Sequence, residues 1–137
     1  GLTLVAYNAA YDLTVLRSRE PSFTVDGLVF DPLVIDRDRD RYRKGKRTLG
    51  NVCEHYHVRL DNAHEATADA LAAARLAWMM SKKVWPELAA MDGDELMEYQ
   101  AVAHFENQRG LRDYLVKQGR DVSDFRISAW PIDDPRG

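Results

Sequence analysis

Leu4-Val-Ala-Tyr-Asn8-Ala-Ala-Tyr-Asp12 is the stretch whose reading decides the fold. Leu2 to Tyr7 is a short apolar run with β-branched content and reads as a buried strand. Asn8 ends it. Ala9 to Arg19 follows with helical spacing, which predicts an inward stripe of Asp12, Val15 and Leu16. Pro21 stops that helix. A strand running straight into a helix, with a carboxylate in the helix's first turn, is the arrangement by which α/β proteins place a site at a sheet edge.

Working outward, Gly27 precedes a second strand at Leu28 to Phe30. Asp31-Pro32 then starts a short helix that reaches Asp36, with Asp31 as N-cap and Pro32 at the first helical position. The next residues form a basic segment, read as a loop. Thr48 caps a helix carrying Leu49, Val52, Cys53 and Tyr56. A turn at Asp61-Asn62 leads to an alanine-rich helix over roughly Glu65 to Val84, with Leu71, Ala74, Arg75 and Trp78 at helical spacing. Asp92 and Glu95 resemble a capping box for a long helix ending near Gly119, and Asp121 to Gly137 reads as an extended tail.

The order strand, helix, strand, helix and then helices is an α/β pattern. Two strands are few for a sheet flanked by so many helices, and the first starts without a lead-in. The expectation is therefore an N-terminally incomplete α/β unit. Its core spans residues 1–85, and residues 86–137 form a helical extension and tail.

The chain has 137 residues and a formal net charge of −3, which excludes a generically basic nucleic-acid binder. Residues 37–47, however, hold seven basic side chains against Asp38 and Asp40, so an acidic body carries one basic segment. Cys53 is the only cysteine, which rules out an internal disulfide and agrees with a reducing cytoplasm. No apolar run is long enough to span a bilayer, so no membrane partner is expected.

Two segments could carry chemistry. Asp12 is one; a plainer role for it is to complement the helix dipole. The other is His64-Glu-Ala-Thr-Ala-Asp69. Five residues apart on a regular helix, His64 and Asp69 would lie on different faces. They converge only if His64 sits on the loop and Asp69 in the first turn of the helix. A carboxylate can then hold a metal while an imidazole, whose ordinary pKa is near neutrality, takes a proton from water. A surface histidine and a first-turn acid would equally account for this motif alone.

Together the two motifs resemble the DEDDh exonucleases of the DnaQ type. Leu4 to Asp12 resembles that family's second motif, a strand running into Asn-x-x-(Phe/Tyr)-Asp. His64 to Ala70 resembles its third, His-x-x-x-x-Asp. Asp31 to Arg37 and Leu49 to Tyr56 resemble the connecting segments. The resemblance covers residues 2–85 and is closest in character to the polymerase III epsilon subunit. It implies a ribonuclease H-like fold and 3′→5′ release of nucleoside 5′-monophosphates from DNA or RNA 3′ ends. It further implies two Mg²⁺ or Mn²⁺ ions held in part by Asp12 and Asp69, with His64 as general base.

The departure is the first motif. The sequence contains no Asp-x-Glu, and hard cations need several oxygen ligands, so the chain alone is expected to have little activity. Expected substrate contacts are Asn8 and, in the basic segment, Arg41, Arg43, Lys44 and Lys46. Tyr42 is placed to stack on a base; a solvated loop is the plainer reading of the segment. Expected partners are a single-stranded or frayed 3′ end, and a polymerase subunit or second chain covering the open edge of the first strand. The rival reading is a catalytically degenerate module that binds nucleic acid or a polymerase.

Overall fold

The computed structural model describes residues 3–25, 27–62 and 64–133. Leu2 and residues 134–137, which the sequence reading included in the first strand and the tail, lie outside them. The elements are β1 (Leu4–Val5), α1 (Ala9–Arg19), β2 (Val29–Phe30), α2 (Pro32–Arg39), α3 (Leu49–His55), α4 (Ala66–Met79), a π-helical turn (Met80–Val84), α5 (Glu87–Ala90) and α6 (Gly93–Lys117).

β1 and β2 pair in parallel, Leu4 opposite Val29 and Val5 opposite Phe30. The amides of Leu4 and Ala6 donate to the carbonyls of Leu28 and Phe30 at 2.8 and 3.1 Å. Residues 29 and 31 therefore turn their polar groups to the other side of β2, where a third strand would lie. A helix takes that place. Gln100 of α6, fully buried, donates from Nε2 to the Val29 carbonyl at 2.8 Å and accepts the Asp31 amide on Oε1 at 2.7 Å. The Val29 amide points at Met97 Sδ, 3.2 Å away. One side-chain amide thus reproduces the donor and acceptor of a neighbouring strand and closes this edge. Among the described residues, no strand pairs with the other edge of β1.

α2 lies under the sheet end with Pro32 to Asp36 all buried, as befits a helix enclosed on every side. It packs on α6 and α4, and α4 packs on β1 and α3. One core cluster joins Phe30 and Ile35 to Val52, Leu76, Met80, Leu88 and Leu96; a second joins α1, Val29 and Val34 to Ala103 and Trp130. Residues from both sides of position 85 share these clusters, so the C-terminal helices complete the core. They do not extend from a finished one.

The structure corrects four local expectations. The inward face of α1 is Ala9, Ala10 and Leu13, whereas Asp12 and Leu16 are exposed. α4 likewise buries Ala72, Ala73, Leu76 and Ala77 and turns Leu71 and Trp78 outward. In both helices the small residues face inward, where they let a helix approach its neighbour closely. α2 continues past Asp36 to Arg39, so the basic segment begins as helix. The tail is irregular but docked. Trp130 is buried, His104 Nε2 meets Ser128 Oγ at 2.9 Å, and the Asp133 amide donates to Thr14 Oγ1 at 2.8 Å. No helix among the described residues is long and apolar enough to cross a membrane.

Candidate functional site

Because β1 and β2 are parallel, α1 and α2 both begin at the same end of the sheet. One carboxylate serves both starts. Asp31, 1% exposed, accepts the Leu33 amide of α2 and the Asn8 amide on Oδ1, and the Ala9 amide of α1 on Oδ2, at 3.0, 2.9 and 2.7 Å. Trp130 Nε1 of the tail adds a fourth donor at 3.3 Å. Burial raises the Asp31 pKa against the pull of these donors.

Asn8, the first residue of the Asn-x-x-Tyr-Asp motif, adopts a left-handed conformation (φ 63°) and makes no side-chain cap. Asp31 has taken over the capping, which leaves the Asn8 side chain exposed. Asp12 follows in the first turn of α1. It is exposed, yet the surrounding protein desolvates its carboxyl enough to raise the pKa.

The second motif begins the same way. His64 is also left-handed (φ 75°), a region that histidine visits more readily than most residues but still uncommonly. The turn brings the His64 amide to Asp69 Oδ1 at 3.3 Å, in the first turn of α4. His64 therefore lies on the loop and Asp69 within the helix, the geometry their spacing requires. It is the His64 backbone that meets the carboxylate; the residue itself is exposed. Asp69 is partly buried near Cys53, whose thiol is pushed up first by burial and then by the Asp69 charge. Cys53 packs in the cluster that Val5 and Tyr7 border, and α4 packs on β1.

Among the described residues, no three histidine, cysteine, aspartate or glutamate side chains are grouped so as to hold a metal ion. Asp12, His64 and Asp69 are accordingly not gathered into one such group.

The basic segment departs most from its reading. Asp36, fully buried, accepts both Arg43 guanidinium nitrogens (2.9 and 2.7 Å), Arg47 Nη1 (2.6 Å) and the Tyr56 hydroxyl (2.5 Å). Burial alone would raise the Asp36 pKa, but these donors more than reverse it and hold the carboxyl below its ordinary range. Arg43 also meets Asp40 at 2.5 Å. Arg43, expected to contact substrate, is therefore engaged inside the fold. Arg39 binds Glu87 and Tyr99. Arg41 lies 3.5 Å from Asp38 with its side chain 57% exposed, and Lys44 and Lys46 are exposed. The Tyr7 hydroxyl donates to the Arg47 carbonyl, fastening the loop to the residue that precedes Asn8.

No family model, curated protein or solved structure matches the chain. The sequence reading singled out Asp12, His64 and Asp69 as candidates but not the Asp31 and Asp36 networks beside them. Asp31 was legible as an N-cap, not as a shared one. An aspartate inside the apolar run Leu33-Val-Ile-Asp36, followed by alternating arginines, was the available sign of a buried anion.

Proposed function

We propose that the chain carries the second and third motifs of a DnaQ-like 3′→5′ exonuclease, a phosphodiester hydrolase acting at nucleic-acid 3′ ends. The carrying observation is the matched build of the two motifs. Each opens on a left-handed residue, Asn8 or His64, and each delivers an aspartate in the first turn of the following helix. Tyr7, which precedes Asn8, borders the same core cluster as Cys53, the thiol on which the Asp69 charge acts.

Asp12 and Asp69 are the proposed metal-side carboxylates, His64 the proton acceptor and Asn8 a substrate contact. Two carboxylates are too few oxygens and too little charge for a pair of divalent ions, so full activity requires further carboxylates that these residues do not include. The missing first motif would supply them.

Two measurements test the reading. Mn²⁺ added with a 3′-terminated dinucleotide should broaden the NMR amide signals of residues 8–12 and 64–69, and Asp69→Ala should abolish the effect. Broadening elsewhere, or none, sinks the assignment. Incubated alone with Mg²⁺ and a 5′-labelled oligonucleotide, the chain should release little product. Brisk digestion abolished by Asp69→Ala would show that no further carboxylate is needed.

The second reading is a catalytically degenerate module that binds nucleic acid or a polymerase without hydrolysis. It predicts no Mn²⁺ effect at either motif.

A further inference from the structure

Residues 40–47 form a loop that is built from its inside. The Arg43 amide donates to the Asp40 carbonyl at 3.2 Å, closing a turn whose two central residues are Arg41 and Tyr42. Arg47 lies within the loop, its Nη2 donating to the carbonyls of Asp40 (2.6 Å) and Arg43 (3.0 Å) while its Nη1 reaches buried Asp36. Gly45 takes φ 108°, a conformation open to glycine at little cost, and separates Lys44 from Lys46. Two of the loop's arginines therefore hold it in shape, and Arg41, Tyr42, Lys44 and Lys46 remain outside. Tyr42 is 88% exposed, the most exposed large apolar side chain among the described residues.

We infer that this loop is a preformed anchor for single-stranded nucleic acid, with Tyr42 stacking on one unpaired base and Arg41, Lys44 and Lys46 contacting the phosphates on either side. Three observations carry the inference. An exposed aromatic interleaved with cations is the chemistry that binds single strands irrespective of sequence. The loop's shape is fixed by buried ion pairs, so little ordering entropy is lost on binding. The rest of the chain is acidic, which repels phosphate elsewhere and concentrates binding on the loop. A duplex, whose bases are already stacked, offers Tyr42 no partner. The inference deepens the proposed function by naming how the strand is held, but it does not depend on Asp12, His64 or Asp69 binding metal.

The test is fluorescence anisotropy with labelled oligothymidylate, oligouridylate and a blunt duplex, in EDTA so that binding is read without hydrolysis. Expected is salt-dependent binding that favours either single strand over the duplex. Tyr42→Ala should weaken it about 5- to 150-fold, the loss of one base stack, and Tyr42→Phe should restore it. Lys44→Gln with Lys46→Gln should reduce the slope of log affinity against log salt by about 1.4. All four side chains are exposed, and an unchanged circular dichroism spectrum is the control that each variant folds. Absence of binding at low salt, equal affinity for the duplex, or a Tyr42→Ala variant that binds like the parent would each overturn the inference. The Mn²⁺ experiment fails or succeeds separately: loop-dependent binding with no metal response at residues 64–69 would remove the nuclease reading and leave the anchor standing.

Discussion

Replacing Asp36 by asparagine isolates the charge at the centre of the buried network. Asparagine keeps one acceptor oxygen, turns the other into a donor facing a guanidinium, and leaves Arg43 and Arg47 without their shared counterion. Removing one partner of a buried ion pair costs about 3–5 kcal/mol, mostly because the remaining charge is uncompensated. Arg43 keeps Asp40 at 2.5 Å, and the Arg43 and Arg47 side chains, 18% and 13% exposed, recover some hydration by small movements. That places the cost near the low end, about 3 kcal/mol. For a chain of this size the loss lowers the melting temperature by about 10 °C. The pH dependence carries a sign of its own. Because the folded Asp36 carboxyl titrates below its ordinary 3.8, its contribution is intact above that pH and is lost as pH falls through the lower folded value. The parent and the variant should therefore converge in acid. Thermal denaturation by circular dichroism across pH supplies both numbers, and hydrogen exchange of residues 40–47 reports the loop directly. A variant that melts within a degree or two of the parent at neutral pH, with loop exchange unchanged, would refute the claim that Asp36 organises the segment.

Two further outcomes follow from other parts of the fold. Gln100→Leu strands one buried donor, the Asp31 amide, and one buried acceptor, the Val29 carbonyl. It should cost about 2–4 kcal/mol by urea unfolding, and a loss under 1 kcal/mol would show that water replaces the side chain. His104, facing Ser128, Asp31, Asp133 and Arg37, has its pKa lowered first by burial. Folding thus disfavours its protonation, so stability should decline as pH falls below its ordinary 6.5; His104→Gln should flatten that decline, and an unchanged slope would exclude the group.

The sequence conveyed the element ends better than the element faces. Asp31, Thr48 and Asp92 were each legible as caps, and each accepts the expected amide, from Leu33, Asn51 and Glu95. Capping is local: the residue that accepts the bond lies within three positions of the donor. The inward face of α1 was misjudged as Asp12, Val15 and Leu16, and in both α1 and α4 it runs through smaller residues. Where a helix packs closely, alanine is what fits, and Ala9, Ala10, Ala72, Ala73 and Ala77 mark the contact. The basic segment was misjudged for another reason. Seven cations spread over residues 37–47 look alike as a string, and only the fold shows that Arg43 and Arg47 converge on Asp36 while Lys44 and Lys46 do not. The Trp130 to Asp31 contact spans ninety-nine positions, and no local pattern announces a bond of that range.

A two-stranded sheet is not self-sufficient, and the manner in which this one is supported bears on the site. Gln100 supplies the missing strand along one edge, and Asp31 holds the end from which both helices rise. The positive ends of α1 and α2 meet at that single carboxylate and offset part of the burial that raises its pKa. Since the interior does the capping, Asn8 and Asp12 are released from structural duty and stand exposed at the helix start. The same division recurs in the loop, where Arg43 and Arg47 fix the shape and Arg41, Tyr42, Lys44 and Lys46 are left outside. In both places a buried carboxylate binds the framework so that the exposed side chains beside it are held in position, with Arg41 alone among the loop's outer residues also facing a carboxylate, Asp38 at 3.5 Å. Apolar residues of similar volume would stabilise the same core as well, so these buried carboxylates matter for where the neighbouring chain is held rather than for net stability.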